Sequence, residues 1–318
     1  MIKRLASLVT GAALVISAAA CGTDNSPSSS SGGAPDKVTA GVIAIIDVAP
    51  IYLGKSKGFF TEQHIDLTLA TAQGGAAIVP AVAAGQYQFG FSNSVSVLIA
   101  KSKGVPLKAV ASGNSTSGNP TSDFTGLLVK DPAIKSPKDL VGKKVATNTL
   151  KNIVNLTINE LVKKDGGDPS KVNLVELAFP DMTAALDKGQ VDAIFTVEPF
   201  LSAAKAKGWR DLGSFAAIDP QQTVALYVTS ESLASSKPDL VKRFKTALQK
   251  SLSYADAHPD EVRSIIGTYT KIDASARNAI VLPKWPAQIS TNSLDTQAGL
   301  AQSYGWITSK PDVAALVS

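Results

Sequence analysis

One cysteine, two histidines and two methionines are all that these 318 residues hold of those types, and each scarcity closes off a class of chemistry. A single thiol forms no disulfide within the chain. Two isolated histidines with no second cysteine are too few ligands for a structural zinc, and no metal site is expected. His64 and His258 both stand in polar stretches, the second directly before Pro259, and read as solvent-facing, so a Ser–His–Asp arrangement has no candidate. There is no GxxxxGK[ST] segment and no GxGxxG after the first expected strand, which leaves no nucleotide-phosphate loop. Nor is there a run of five like charges; the basic residues are scattered, and the clustered footprint of a nucleic-acid binder is missing. With 44% hydrophobic and 18% charged residues, the composition is that of a globular chain, long enough for one large or two ordinary domains.

The lone cysteine stands in an informative place. Lys3 and Arg4 are followed by an apolar run from Leu5 to Ala20, which ends in Ala18-Ala19-Ala20 before Cys21. A basic start, a short apolar stretch and small residues before a cut site describe a secretory leader. Ser7, Thr10 and Ser17 interrupt the run, which argues against a span of roughly 20 apolar residues. After Cys21 comes Gly-Thr-Asp-Asn-Ser-Pro-Ser-Ser-Ser-Ser-Gly-Gly-Ala-Pro, a flexible tether with a random-coil reach on the order of 20 Å. The whole arrangement resembles a bacterial lipoprotein signal. That resemblance implies that 1–20 is removed, that the Cys21 thiol is lipidated, and that 21–36 tethers the folded part to the outer face of the cytoplasmic membrane. The alternative is an ordinary leader cut nearby, with Cys21 incidental. Loss of Lys3 and Arg4 leaves 29 basic against 26 acidic residues and lowers the net charge from +5 to +3.

Beyond the tether, strand-like and helix-like segments alternate. Lys37–Ile46, Ile65–Ala70, Tyr87–Phe91 and Leu107–Ser112 read as strands; Ala49–Phe60, Ala76–Ala84 and Ser94–Lys103 read as the helices between them, with Gly58, Gly85 and Gly104 as stops. The pattern starts afresh with strands at Thr125–Lys130, Lys143–Thr147, Val172–Leu177 and Val191–Thr196. Its helices are Asn152–Lys164, Asp181–Lys188 with Asp181 as N-cap, and Glu198–Lys207 with Pro199 in its first turn. Such alternation predicts βαβ units and mostly parallel sheets. After a strand at Thr223–Thr229, a long helix is expected over Pro238–Ala257, where Leu240, Phe244, Leu248 and Leu252 recur every four residues. Two or three further helices follow. Two α/β blocks with a return predict two lobes, 37–125 plus 223–318 and 126–222. Two hinge crossings near Thr125 and Thr223 would let them open and close around a ligand.

Several segments then match a known family in order. They are Gly58-Phe59-Phe60 before Ile65-Asp66-Leu67, Gly74-Gly75-Ala76-Ala77, Ala84-Gly85-Gln86-Tyr87-Gln88-Phe89-Gly90, Gly104-Val105-Pro106-Leu107-Lys108, Ile134-Lys135-Ser136-Pro137-Lys138-Asp139-Leu140, Gly142-Lys143-Lys144-Val145, Asp192-Ala193 and Val197-Glu198-Pro199-Phe200. Over roughly 40–230 the chain resembles the solute-binding proteins of ABC importers, in the nitrate, sulfonate and taurine branch that also includes thiamine-pyrimidine binders. The resemblance implies an α/β, two-lobed periplasmic-binding-protein-like fold of type II, no cofactor, and a monomer that is not an enzyme. Its partners would be an ABC permease, the ATPase of that permease, and the membrane through the lipid. It also implies capture of a small polar solute or anion of the sulfonate, taurine or nitrate type, with a heteroaromatic pyrimidine precursor as the alternative ligand. An enzyme on the same fold, or a surface sensor without a transporter, are the rival readings.

Ligands of open α/β sheets sit beyond the carboxyl ends of the strands. Those ends carry Asp47 and, one helical turn on, Tyr52; Gly74 and Gly75; Ser92, Asn93 and Ser94; Asn114; Asn148 and Thr149, with Asn155 inside the following helix; Asp181; and Glu198. Small polar groups and helix starts dominate this set, and helix N-termini offer free N–H groups. Ser92, Asn93 and Ser94 read equally as helix caps and as ligand contacts. Asp181 reads first as a cap. Glu198 is open to a ligand amine or to hinge backbone, and Tyr52 to core or cleft wall. Tyr52, Phe91, Phe179 and Trp285 are the flat side chains available to a heteroaromatic ligand. Lys151 is the only cation near these positions in the sequence.

Overall fold

The alternation of β-branched runs with alanine-rich segments resolves, in a computed structural model that describes residues 34–317, into two five-stranded sheets dressed with helices. The expected leader, Cys21 and nearly all of the expected tether lie outside the described residues. The last position given to the tether, Asp36, is already the first residue of a strand.

In chain order the first half runs β1 (Asp36–Val42), α1 (Ala49–Ser56), β2 (Ile65–Thr71), α2 (Gly75–Ala83), β3 (Phe89–Asn93), α3 (Ser94–Ser102) and β4 (Leu107–Ser115). It continues with β5 (Thr125–Val129), β6 (Lys144–Thr147), α4 (Ile153–Lys164), β7 (Asn173–Glu176), α5 (Phe179–Asp187), β8 (Ala193–Val197), α6 (Phe200–Lys205), β9 (Arg210–Asp211) and α7 (Phe215–Ile218). The last third is β10 (Thr223–Ser230) and α8 to α13: Glu231–Ser236, Pro238–Ala257, Pro259–Ile265, Ala274–Arg277, Thr291–Ser303 and Val313–Val317.

The first sheet has the order β2-β1-β3-β10-β4 and the second β7-β6-β8-β5-β9. In each, the helix-linked strands run parallel, and one strand lies antiparallel to both its neighbours: β10 between β3 and β4, and β5 between β8 and β9. The carboxyl ends of β1 and β3 lead into α1 and α3, and those of β6 and β8 lead toward α4 and α6.

Several boundaries differ from the sequence reading. β1 stops at Val42 instead of Ile46, where its register with β2 ends at Thr71. The freed residues 43–48 bend into a short 3-10 turn. β4 continues to Ser115 because β10 pairs along its length and Ser115 forms a bridge with Lys284. α5 begins two residues early, with Ala178 at its cap and Pro180 in its first turn. Asp181 is therefore a first-turn residue and not the N-cap. Pro199 precedes α6 as its capping residue instead of opening the helix. His258 is half-buried and not solvent-facing: its ring stacks on Tyr254 at 3.8 Å, and its Nδ1 lies 2.8 Å from the Tyr254 carbonyl.

The long helix α9 spans Pro238–Ala257 as its apolar stripe predicts. Leu240, Phe244, Leu248 and Leu252 are all buried, each such burial contributing roughly 1.5–3 kcal/mol. Phe244 stacks on Phe89 of β3 at 3.6 Å, which fixes α9 to the first sheet. The C-terminal third also reaches the second. The Tyr304 hydroxyl donates to Glu160 of α4 at 2.6 Å, and the Val281 N–H donates to Glu198 at 3.2 Å.

Candidate ligand-binding cleft

The strand ends of the two sheets face each other across a cleft. Its inner part is a cavity of about 30 Å³ lined from the first sheet's side by Ile43, Ile45, Asp47, Phe91, Asn93, Val224 and Ala225. From the second sheet's side come Asn148, Asn152, Ile153, Val154, Phe179, Val197 and Phe215. Such a volume holds a water or two. A wider space of about 320 Å³ shares the walls Ile43, Ile45 and Phe179 with it and is bounded further by Thr71, Gln73, Pro180 and Phe200. No lysine, arginine, histidine or cysteine stands among the described residues that line either space.

Three direct hydrogen bonds cross the cleft or its edge. The Ile153 N–H, in the first turn of α4, donates to Asn93 Oδ1 at 3.3 Å. Gln73 Nε2 donates to the Asn148 carbonyl at 3.3 Å. The Ile46 N–H donates to the Glu198 carbonyl at 3.0 Å. The turn at Gly74 fits under the opposite loop with little room: a Cβ there would stand 3.0 Å from Thr149 Cγ2 and 3.2 Å from Asn148 Nδ2. At Gly75 a Cβ would run into the Ser92 hydroxyl and stand 3.1 Å from Asn93 Nδ2. Only glycine lets α2 start this close to β3.

Of the thirteen residues singled out in the sequence, Asp47, Asn93 and Asn148 line the inner cavity. Gly74 packs against Thr149 outside the residues that line it. Asn93 caps α3 by accepting from the Ser96 N–H at 2.9 Å, and it also faces the cavity. Ser92 and Ser94 turn elsewhere: the Ser92 hydroxyl donates to the Asn93 carbonyl, while the Ser94 hydroxyl packs against the Thr223 and Val224 carbonyls and Gln297 Oε1. Asn155 ties the start of α4 together, accepting from the Lys151 N–H at 3.0 Å and donating to Asn159 at 3.3 Å. Asp181 is exposed. Tyr52 stacks on Tyr269 at 3.9 Å, beside the cleft wall and outside the cavity lining.

Glu198 is 1% exposed and accepts from the Ser202 N–H, the Ser202 hydroxyl and the Val281 N–H. Burial raises its pKa above the ordinary carboxylate range, and those hydrogen bonds act in the opposite direction. Its free-energy role is therefore to join α6 to the C-terminal segment.

Asp47 is different in kind. It is 3% exposed. Asn114 Nδ2 donates to its Oδ1 at 2.9 Å, and its Oδ2 has no partner. Burial pushes its pKa up to about 7. The backbone carbonyl of Asp47 accepts from the Trp285 indole at 3.1 Å, which fixes the turn. Trp285 itself is buried behind the site and is not a wall of it.

The sequence reading missed Asn152. It caps α4 by accepting from the Asn155 N–H at 2.9 Å, and its Nδ2 donates to Asn148 Oδ1 at 2.7 Å and Thr149 Oγ1 at 2.9 Å. The spacing Asn148, Asn152, Asn155 was the available signal, read only as a helix start. Phe215 and Ile153 were not singled out either; nothing local marks them, because they reach the cavity from elements that only folding brings there.

A family model described as NMT1/THI5 like matches residues 45–262. The chain is 29% identical over 196 residues to the taurine-binding periplasmic protein of Escherichia coli (strain K12), covering 58% of this chain and 56% of that protein. It is 25% identical over 227 residues to the 4-amino-5-hydroxymethyl-2-methylpyrimidine phosphate synthase of Aspergillus parasiticus, covering 66% of this chain and 64% of that one. The chain thus spans less than two thirds of the length of either relative. The alkanesulfonate-binding protein SsuA of Xanthomonas axonopodis pv. citri, solved bound to MOPS, superposes with a TM-score of 0.76 at 18% identity, over 90% of this chain and 99% of that one. That likeness shows the fold to be that of the periplasmic binding proteins.

Proposed function

We propose, from the premise that this chain belongs to the NMT1/THI5-like family, that it captures a small solute for an ABC importer by closure of two lobes. The lobes are 37–125 plus 223–318 and 126–222, joined near Thr125 and Thr223. The observation that carries this reading is the cleft between the strand ends of the two sheets. It is lined from both sides and crossed by the Asn93–Ile153 and Gln73–Asn148 hydrogen bonds. A few side chains on each wall and a handful of hydrogen bonds between them suit a device that closes on a ligand and releases it.

The ligand is a small polar compound of the kind the sulfonate, taurine and nitrate binders take, with an aminopyrimidine as the alternative. Asp47, Asn93 and Asn148 would contact it directly. Gly74, Gly75, Ser92, Ser94, Asn114, Thr149 and Asn155 would shape or brace the walls, Tyr52 and Glu198 would support the cleft from behind, and Asp181 would lie at its outer edge. A second reading, catalysis on this fold, is favoured by the relative named as a pyrimidine phosphate synthase. Capture is supported by the absence of any histidine, cysteine or lysine among the described residues that line the cleft; Asp47 is the one titratable side chain there.

Native mass spectrometry of the purified protein should detect a co-purified small molecule. A thermal-shift screen should find at least one sulfonate, nitrate or pyrimidine that raises the melting temperature, as binding to the folded state alone requires. No stabiliser in that set would remove the ligand class, and turnover of a bound compound would favour the catalytic reading.

Among the described residues no helix is long and apolar enough to cross a membrane. We infer that the protein is exported and held at the outer face of the cytoplasmic membrane by acyl chains on Cys21, each buried CH2 contributing about 0.8 kcal/mol. Replacing Cys21 with serine should move it from the membrane fraction to the soluble one.

A further inference from the structure

We propose that Asp47 is the ligand-recognition carboxylate of the cleft, and that it selects a compound presenting an N–H donor, an alkylammonium or an amino-heteroaromatic, over an anion. This rests on the solute-capture reading and narrows it.

Asp47 Oδ1 is engaged by Asn114, while Oδ2 is buried and meets no donor, and Asp47 is one of the residues that line the inner cavity. The Asn114 Oδ1 next to it is also without a partner, and so is the Tyr227 hydroxyl in the adjoining strand β10. Buried polar groups are almost always hydrogen-bonded, and of the unpaired ones among the described residues Asp47 Oδ2 is the one that belongs to a residue lining the inner cavity. Asn114 turns its one engaged donor toward Asp47, so the pair keeps two buried acceptor oxygens without a donor.

The rest of the wall agrees. Asn93, Asn148 and Asn152 add amides; Phe91, Phe179 and Phe215 add flat apolar surface; no cationic side chain compensates the carboxylate among the described lining residues. Above about pH 7, where Asp47 is ionised, an anion entering this space would meet a desolvated carboxylate with nothing of opposite sign beside it, which low-dielectric surroundings penalise. An N–H donor meets an acceptor already desolvated and held in place, so it forms a charge-assisted hydrogen bond without further reorganisation. The burial that raises the Asp47 pKa is the same condition that makes a donor there effective.

The test uses the full-length protein, purified in detergent, and matched probe pairs that differ in one group. Taurine is set against isethionate, which carries a hydroxyl in place of the ammonium. 4-Aminopyrimidine is set against 4-methylpyrimidine, which has no N–H, and sodium nitrate is the bare anion. Isothermal titration calorimetry should give the amino member of at least one pair an affinity about ten- to a hundred-fold higher than its partner, the range expected of a hydrogen bond to a charged group. Asp47→Asn should close that gap, weakening the amino member and relieving the penalty on its anionic or neutral partner. Isethionate or nitrate binding as tightly as the amino compounds overturns the proposal, and the wild-type pairs decide the matter even if the variant fails to fold. A ligand recovered by native mass spectrometry is judged by the same criterion: one with no N–H donor overturns it. A protein that binds no probe and carries no small molecule from the cell overturns solute capture itself, and this inference falls with it.

Discussion

The side-chain oxygen of Asn93 accepts from two helices at once: from the Ser96 N–H of α3 at 2.9 Å and from the Ile153 N–H of α4 at 3.3 Å. One residue thus caps a helix of the first sheet and touches the first turn of a helix of the second. Replacing a capping asparagine with alanine costs typically about 1 kcal/mol. Asn93→Ala should therefore lower the melting temperature by a few degrees and weaken ligand binding as well. Asn93→Asp, which keeps the acceptor, should retain most of the stability. Differential scanning fluorimetry with and without taurine checks both, and an alanine variant as stable as the parent would remove the double role.

The adjacent glycines should separate closure from folding. Gly74 has an extended backbone that any residue adopts, and its missing side chain matters only toward Asn148 and Thr149 across the cleft. Gly74→Ala should leave the melting temperature of the ligand-free protein within about 1 °C and weaken ligand binding about tenfold, equivalent to about 1.4 kcal/mol. Gly75→Ala collides with Ser92 inside the first sheet's own packing and should destabilise by about 1–3 kcal/mol with or without ligand. Equal effects of the two variants on ligand-free stability would contradict this division.

Glu198 bridges α6 and the segment at Val281. Glu198→Ala strands the Ser202 and Val281 N–H donors and should cost about 1–3 kcal/mol, read as a lower denaturation midpoint in urea. Glu198→Gln keeps one acceptor oxygen and should lose less. If alanine is tolerated without loss, the carboxylate is not what joins these segments.

Asp47 should make stability depend on pH in an unusual direction. Its folded-state pKa of about 7 lies above the ordinary 3.8, so between those values the folded protein holds a proton that the unfolded chain releases. Stability from this group falls as pH rises from about 4 to about 7, and it levels off beyond; roughly 4 kcal/mol is the ceiling. Asp123 adds to the upward push, while the Asn114 hydrogen bond opposes it; Tyr227 and Tyr269 both feel the Asp47 charge. Asp47→Asn should flatten the profile of melting temperature against pH in that window. An unchanged slope would assign the dependence to other groups.

Ligand binding should run the other way. A donor paired with Asp47 favours its charged form, so affinity should strengthen as pH rises toward about 7 and binding should release a proton below it. Calorimetry in buffers of different ionisation enthalpy measures that proton directly. Proton uptake on binding would contradict the pairing.

The strand–helix alternation, the duplicated α/β pattern and the stripe of α9 could all be read along the chain, because each is written in periodicity over many residues. Asn93 and Asn148 were found because they follow strands whose ends point at the cleft. The consecutive Ser92, Asn93 and Ser94 look alike in sequence, yet only Asn93 lines the inner cavity. Ser94 opens α3, and its hydroxyl meets Thr223 and Val224 of β10 and Gln297 of α12. Asp181 lost its expected cap because Pro180, with its φ already suited to a first turn, lets α5 start at Phe179.

The linear order of residues thus determined which segments become strands and helices, since local geometry follows from spacing and side-chain type. Which polar group is left without a partner inside the cleft was decided only by folding. Asp47 owes the one side-chain hydrogen bond of its carboxylate to Asn114, 67 positions away, and its raised pKa to the burial around it. Desolvation and pairing depend on neighbours in space, and those neighbours come from distant strands.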